Sequence, residues 1–389
     1  MPAPFESANR MYHPALAPRR RSWRLVILVG LVVVLAGLWS VFWYSATSIA
    51  ERTIGDWLER EARLGRIYTC GSQTVGGYPF RIEVRCASAS AELRNMHPAL
   101  FLKTNDIVVA AQIYQPTLLI GEFAGPLSLA EQGQEARVIA NWTLAQASVR
   151  GNPAAPDRIS IVLDDPTLDE MVAGRAESMV KGRHIEAHGR IAEGSIIDRP
   201  VLDAAFQLRA VTATRVHPLL VQPTDADVDL TLRGLSNLAP KPWPQPLREL
   251  QAAGGRIEVK RLRIQQGEAI AVAAGALGLT SAGRPDGELQ VTVAGLEKFL
   301  PALGIESLVP PGSSGGDRIN SALGALDRLV PGLGQVARQR AGLGLAASVM
   351  LLGEQTELEG KRAVRLPLRF NDGAVSLGPI PLGQIAPLF

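Results

Sequence analysis

Residues 80–86, Phe-Arg-Ile-Glu-Val-Arg-Cys, alternate apolar and charged side chains without a break. Successive side chains of a β-strand point to opposite faces, so this stretch predicts a strand with one apolar and one polar face. The same alternation recurs in runs that Pro- and Gly-rich segments separate. The further runs are residues 107–113, 138–144, 159–163, 204–210, 228–232, 289–293 and 366–370. Such runs are typical of antiparallel strands with one solvated side.

The predicted fold is therefore mainly β with a few helices. A single N-terminal transmembrane helix precedes an elongated, curved antiparallel sheet, and a C-terminal helical hairpin at residues 317–352 packs on that sheet. So many one-sided strands need something to cover their apolar face. The sheet is either an open groove that a ligand fills or a closed sandwich, and the sequence leaves both open.

Composition excludes some classes of protein. The chain has 389 residues, of which 47% are hydrophobic and 20% charged, so it has ample apolar material to bury and is not predominantly disordered. Its net charge of +3 hides an uneven distribution, since residues 1–24 carry five arginines and one acidic residue, a net of +4. Residues 25–389 are left with −1 and offer no broad basic face for nucleic acid.

The stretch that follows this basic tail, residues 25–44, has 20 residues and no charge. As a helix it reaches about 30 Å, the thickness of a bilayer's hydrocarbon core. A cleaved signal peptide is the alternative, but bulky Phe42, Trp43 and Tyr44 lie where a cleavage site needs small residues. The arginines predict a cytoplasmic N-terminus and a body outside the cytoplasm. Residues 45–65 have the 3.6-residue apolar period of an amphipathic stalk helix.

The two cysteines of the chain, Cys70 and Cys86, both lie in the exported part. A pair in an oxidising compartment predicts a disulfide, and buried free thiols are the alternative. Between them, Gly76 and Gly77 permit a tight turn with positive φ, and Tyr78-Pro79 leads into the next strand. We expect a structural role for this turn.

No motif in the sequence predicts catalysis, a cofactor or a metal site. Residues 312–316 match G-x-S-x-G but follow Pro-Pro rather than a strand, which favours a linker over a hydrolase site. His184 and His188 lie in a predicted strand, where residues four apart share a face but stand about 13 Å apart. That separation is too large for both to bind one metal ion.

Two stretches resemble a known family. Residues 76–86, Gly-Gly-Tyr-Pro-Phe-Arg-Ile-Glu-Val-Arg-Cys, and residues 366–383 are similar to the N-terminal and C-terminal signatures of a bacterial envelope family, domain of unknown function 2125. A weaker similarity, carried by residues 275–279 and 286–296, is to AsmA-like envelope proteins. That second resemblance implies a membrane-anchored β-groove involved in phospholipid movement or outer-membrane assembly.

These observations predict a non-enzymatic protein of the bacterial inner membrane, single-pass, with its body in the periplasm. We expect a β-groove that binds phospholipid or another apolar ligand in cell-envelope maintenance. A scaffolding protein that binds protein partners through a closed sandwich is the alternative. The predicted divisions are a basic tail (1–24), the anchor (25–44), the stalk (45–65), a first β segment (66–239) and a second β segment (247–389).

Overall fold

We describe a computed structural model of the chain over residues 23–96, 98–152, 155–239, 241–296 and 353–389. The chain divides into two compact units between Ile54 and Gly55, and each is described by itself. Over the described residues the fold is mainly β, as the alternating pattern predicts.

One long helix, α1 (Trp23–Arg63), contains the predicted span and nearly all of the predicted stalk. The first unit contains the apolar part of this helix, whose residues from Leu25 to Leu38 are all exposed. By length and composition, α1 can cross a membrane, since its apolar stretch has a mean hydropathy of 2.8. The prediction of an N-terminal apolar helix is confirmed, and an anchor and a signal sequence both fit it.

The second unit begins with the last residues of α1. Trp57 stacks on Tyr68 with ring centroids 5.0 Å apart, and Glu61 forms an ion pair with Arg66. Tyr68 and Arg66 belong to the first strand, so these contacts hold the end of the helix against the start of the β structure.

The β structure forms two sheets in which every strand pair is antiparallel. The smaller sheet has seven strands in the order β1-β4-β5-β8-β9-β12-β13. Its strands are β1 (Arg66–Thr69), β4 (Ser90–Leu93), β5 (Leu100–Lys103), β8 (Leu127–Glu131), β9 (Ala136–Asn141), β12 (Thr167–Val172) and β13 (Arg175–Lys181).

The larger sheet has 16 strands in the order β2-β3-β6-β7-β10-β11-β14-β15-β16-β17-β18-β19-β21-β22-β23, with β20 also paired to β21. Its first strands are β2 (Ser72–Gly76), β3 (Arg81–Ala87), β6 (Asp106–Gln112), β7 (Gln115–Phe123), β10 (Leu144–Asn152), β11 (Ala155–Asp164), β14 (His184–Ser195) and β15 (Asp198–Val211). The remainder are β16 (Thr224–Arg233), β17 (Arg256–Gln266), β18 (Ala269–Leu279), β19 (Pro285–Ala294), β20 (Glu354–Leu358), β21 (Lys361–Asn371), β22 (Ala374–Leu377) and β23 (Ile380–Gln384).

Short junctions join the two sheets. Each connection from a strand of one sheet to a strand of the other is only two or three residues long, as between β3 and β4 or between β11 and β12. Ser88 and Asp165 adopt positive φ at two of these junctions. Backbone hydrogen bonds continue through them, for example from Asn105 N to the Ala124 carbonyl at 3.3 Å. The junctions therefore form a hydrogen-bonded line along which long antiparallel strands divide into two sheets.

The structure corrects the predicted C-terminal region. The helical hairpin predicted at residues 317–352 lies outside the described residues, and the described C-terminal residues form strands β20 to β23 rather than helices. The predicted boundary near residues 240–246 is occupied in part by a short helix, α2 (Gln245–Ala252). Strands β16 and β17, on either side of it, pair directly, so the sheet continues across this position.

A cluster of buried apolar side chains lies at the C-terminal end of the larger sheet. It consists of Leu296, Val364, Leu366 and Ile380, with Val293, Leu377 and Leu382 packed around it. These side chains come from β19, β21, β22 and β23 and from the residues after β19, so the cluster joins the last strands of the sheet to one another.

Candidate functional site

One face of the larger sheet carries an unbroken line of apolar side chains, which we call the apolar row. Each member is the direct cross-strand partner of the next, so the line runs across the strands rather than along them. From β2 to β21 its members are Val75, Val84, Val109, Gly121, Ala147, Ile161, Ala187, Phe206, Val228, Leu262, Ala273, Val291 and Leu366. Adjacent strands are about 4.8 Å apart, so the five strands from β10 to β16 alone give a track of about 19 Å.

A second line of the same character runs beside the apolar row. In β11 and β14 it contains Ile159 and Gly189, and it continues through Ala204 and Leu230. The members are two residues away from the row along each strand, so they share its face. The apolar character is therefore a property of the face and not of a single line of residues.

Within the described parts of the chain, nothing covers the middle of this face. Ile161 is 44% exposed and Phe206 is 40% exposed, although both stand in the apolar row. A closed sandwich would bury such side chains against a second sheet. At this position the face is open, and its exposed members are the large apolar side chains that soluble proteins normally cover.

The opposite face of the same strands is polar. Next to Ile161 and Phe206 in sequence, Ser160 and Gln207 point to this second face. In β14 it carries His184, Glu186 and His188. The two faces of the middle strands therefore differ sharply in chemistry, as the sequence alternation predicts.

A charged network occupies part of the polar face. His184 Nδ1 lies 2.5 Å from Asp164 Oδ1, and His184 Nε2 lies 2.7 Å from Glu186 Oε1. The other oxygen of this glutamate, Oε2, lies 2.9 Å from His188 Nε2. The Asp164 carboxylate, followed by Glu186, raises the pKa of His184. His188 and then His184 lower the pKa of Glu186. No grouping of three His, Cys, Asp or Glu side chains suited to a metal ion occurs among the residues described.

The predicted turn forms between β2 and β3. Gly77 has φ of +97°, and a Cβ there would meet the Arg81 carbonyl oxygen at 2.7 Å, so only glycine fits. Gly76 instead ends β2 without positive φ and has open space around its Cα, so the turn depends on one of the two glycines. The Tyr78–Pro79 peptide bond is cis. Tyr78 is 52% exposed at the tip of the hairpin.

The predicted disulfide is confirmed. Cys70 lies between β1 and β2, and Cys86 lies in β3 with Cα atoms 5.4 Å apart. The bond closes a separation of 16 residues and ties the chain just before β2, the first edge strand of the larger sheet, to the neighbouring strand β3. An edge strand has a pairing partner on one side only, so this cross-link beside β2 adds to the hydrogen bonds that hold it to β3.

Sequence alternation identified the exposed apolar side chains but not their alignment. Residues 159–163 and 204–210 were each predicted to form one-sided strands, and Ile161 and Phe206 lie in them. That these side chains stand in one row follows from the pairing register, which no local pattern specifies. The sequence feature that points to this face is the repeated alternation of apolar and polar residues, which places the apolar residues on one face of each strand.

The fold and the apolar face define a class: a protein of open antiparallel sheets preceded by an N-terminal apolar helix. The chain belongs to the family described as "Uncharacterized protein conserved in bacteria (DUF2125)", whose sequence profile matches residues 43–386. The resemblance of the hairpin and C-terminal signatures to that family is thereby confirmed. No curated protein and no solved structure matches the chain. The similarity to AsmA-like proteins stays a prediction.

Proposed function

We propose that this protein is a membrane-anchored, non-enzymatic lipid-binding protein of the bacterial envelope, and that the apolar face of the larger sheet is its binding surface. The observation that carries the proposal is the row of apolar side chains that remains exposed at Ile161 and Phe206. Its polar opposite face suits contact with water, so the strands present chemically distinct sides to ligand and solvent.

The energetics favour an acyl chain as the occupant. Each methylene group removed from water contributes about 0.8 kcal/mol, so a chain laid along several strands gains several kcal/mol without any specific hydrogen bond. The side chains that line the row are aliphatic or aromatic and offer no polar groups to orient a polar ligand. A surface of this kind binds lipids by apolar area, with little discrimination between headgroups.

The location proposed is the inner membrane, with the N-terminus in the cytoplasm and the sheets in the periplasm. The arginine-rich tail before α1 supports this orientation by the positive-inside rule. The disulfide between Cys70 and Cys86 suits an oxidising compartment. A periplasm-active reporter fused after Phe389 should be active, and the mature chain should retain residues 25–44. Activity of a cytoplasm-specific reporter at the same position would contradict the orientation.

The test of lipid binding uses photo-crosslinking in intact cells that express the full chain. A photoreactive residue replaces Phe206 or Ile161 on the apolar face, and matched controls replace Gln207 or Val162 on the same strands but the opposite face. We expect phospholipid adducts at 206 and 161, and at least about tenfold fewer at 207 and 162, because only the first pair faces the apolar row.

Two outcomes would overturn the proposal. Equal lipid adducts at both positions of a pair would show that labelling follows proximity to the membrane and not the face. Protein adducts without lipid at 206 and 161 would favour the alternative, a scaffolding protein that covers its apolar face with a partner. With the photoreactive residue at position 161, loss of the adducts on Phe206→Glu and their retention on Gln207→Glu would support binding by the face itself.

A further inference from the structure

The polar face of the larger sheet contains an alignment of like charges. Arg150 in β10 is the direct cross-strand partner of Arg158 in β11, and Arg158 is the partner of Arg190 in β14. Direct partners on one face have Cβ atoms about 4.5–5.5 Å apart, and like charges at that separation destabilise a sheet. Three guanidinium groups on three adjacent strands are therefore not explained by the stability of the sheet.

Two of these arginines have no compensating partner. Within the described part of the chain, no hydrogen bond or ion pair involves Arg150 or Arg158, and both are exposed. Arg190 differs, because its Nε and Nη2 atoms donate to Asp203 Oδ2 at 3.1 and 2.8 Å. Of the three aligned arginines, Arg190 is therefore held in place by a carboxylate, whereas the guanidinium groups of Arg150 and Arg158 are available to bind an anion.

Asp203 is itself fully occupied. Thr231 Oγ1 donates to its Oδ1 at 2.5 Å, and Lys260 Nζ donates to the same oxygen at 3.0 Å. Thr231, Arg190 and Lys260, in that order, hold the pKa of Asp203 well below its usual range, so the carboxylate stays ionised. The Asp203 carboxylate orients Arg190 and Lys260, and its four acceptor positions are all in use. It therefore cannot also neutralise the charge of Arg158.

A shallow cleft of about 550 Å³ lies on the polar face, and Arg150 stands next to its lining as the cross-strand partner of Arg158. Arg158, Arg190 and Lys260 line it together with Ser160 and His188, and its acidic lining residues are Asp203 and Asp229. Asp229 stands opposite Arg261 in the pairing register, on the far side of the cleft from Arg158. The side of the cleft nearest β10 and β11 is therefore positively charged, with a hydroxyl group beside the guanidinium.

We propose that this cleft binds a phosphate-bearing anion, held between the free guanidinium groups of Arg150 and Arg158 and the oriented Arg190, with the Ser160 hydroxyl as an additional donor. A guanidinium presents parallel N–H groups that match the oxygens of a phosphate, and several converging arginines are typical of phosphate recognition. The site lies on the face opposite the apolar row, so it does not depend on lipid binding there. The phosphate belongs either to a lipid headgroup or to a free phosphate ion.

The test uses the full chain in nanodiscs of phosphatidylcholine, with two soluble probes at constant ionic strength. Inorganic phosphate represents the free ion, and dibutyryl phosphatidate represents a headgroup without long acyl chains. Calorimetric titration should show saturable binding of at least one probe. The Arg150→Gln/Arg158→Gln double variant should bind it about tenfold or more weakly, because it removes both free guanidinium groups.

Arg175→Gln is the matched control, since Arg175 is an exposed arginine of β13 in the smaller sheet. It should leave the affinity unchanged. The double variant relieves repulsion between neighbouring arginines, so its melting temperature should not fall, and weaker binding then cannot be attributed to unfolding.

Tighter binding of dibutyryl phosphatidate identifies a headgroup site, and equal or tighter binding of inorganic phosphate identifies a free-ion site. Failure of both probes to saturate, or equal affinity in the double variant, would overturn the proposal.

Discussion

The apolar row has two regions that share a residue pattern and differ in exposure. At its C-terminal end, Leu366 is 4% exposed within a cluster of apolar side chains from β19 to β23. In its middle, Ile161 and Phe206 are about ten times as exposed, although they are equally apolar and stand in the same cross-strand line. The same alternation therefore builds a core in one region and leaves a surface in the other.

This contrast separates stability from binding. A covered apolar side chain contributes to folding by its own burial, whereas an exposed one contributes only when something else covers it. We expect substitutions at the C-terminal end to affect the free energy of unfolding, and substitutions in the middle to affect the occupant of the face.

The largest expected effect is on stability at the C-terminal end. Leu366→Ala should lower the free energy of unfolding by about 2–5 kcal/mol, because it leaves a cavity among Leu296, Val364 and Ile380. Phe206→Ala should cost about 1 kcal/mol or less, since much of that side chain is already in contact with solvent. Urea unfolding of the detergent-solubilised full chain, followed by tryptophan fluorescence, measures both. Equal losses would show that the middle of the row is covered in the folded protein.

A smaller effect is expected at the opposite edge of the sheet, where a turn and a disulfide replace an apolar cluster. Gly77→Ala should cost about 1–2 kcal/mol from positive φ alone, plus the overlap of the new Cβ with the Arg81 carbonyl. Gly76→Ala, one residue earlier, should stay within about 0.5 kcal/mol, because its Cβ meets nothing. Comparable losses in the two variants, measured by the same unfolding experiment, would exclude this account of the turn.

The smallest effect concerns pH and the polar face behind the exposed region. Asp164 and Glu186 raise the pKa of His184, so the folded state favours its charged form. This stabilisation is complete below the unfolded-state pKa of about 6.5 and is lost as the pH rises through the folded-state value. Arg209 is the cross-strand partner of His184, but it forms an ion pair with Asp227 at 2.6 Å. It therefore does not compete with His184 for the carboxylates of Asp164 and Glu186.

At low pH the sign reverses for Glu186, whose lowered pKa contributes stability that is lost as the carboxylate protonates. We therefore expect the network to contribute most between about pH 4.5 and 6.5. The melting temperature should decline between pH 6 and pH 8 by an amount equivalent to about 1 kcal/mol or less. His184→Gln should reduce this decline, and His217→Gln should preserve it. A decline that His184→Gln leaves intact would assign it to other groups.

Much of the local structure was predictable. Residues 159–163, 204–210 and 228–232 were expected to be one-sided strands and lie within β11, β15 and β16, because a period of two is set by the strand backbone itself. The apolar helix was predictable for a similar reason, since length and composition alone decide whether a segment can cross a bilayer.

The division into two sheets was not predictable from the pattern. Residues 138–144 were expected to form one strand, but β9 ends at Asn141 and β10 begins at Leu144 in the other sheet. At this junction Trp142 Nε1 donates to the Phe123 carbonyl at 2.7 Å, a contact with a residue 19 positions earlier. Local alternation carries no information about such a contact, so it missed the place where the chain changes sheets.

By itself, the sequence determined that the chain has an uncharged N-terminal span, a near-neutral body and strands with one apolar face, because each property depends only on neighbouring residues. The tertiary structure alone decided the register. That register places Val75 to Leu366 in one line, brings Arg150, Arg158 and Arg190 together and leaves Phe206 exposed while Leu366 is buried. The physical reason is that register and burial arise from contacts between residues distant in the chain, whereas periodicity records only which side of its own strand a residue faces.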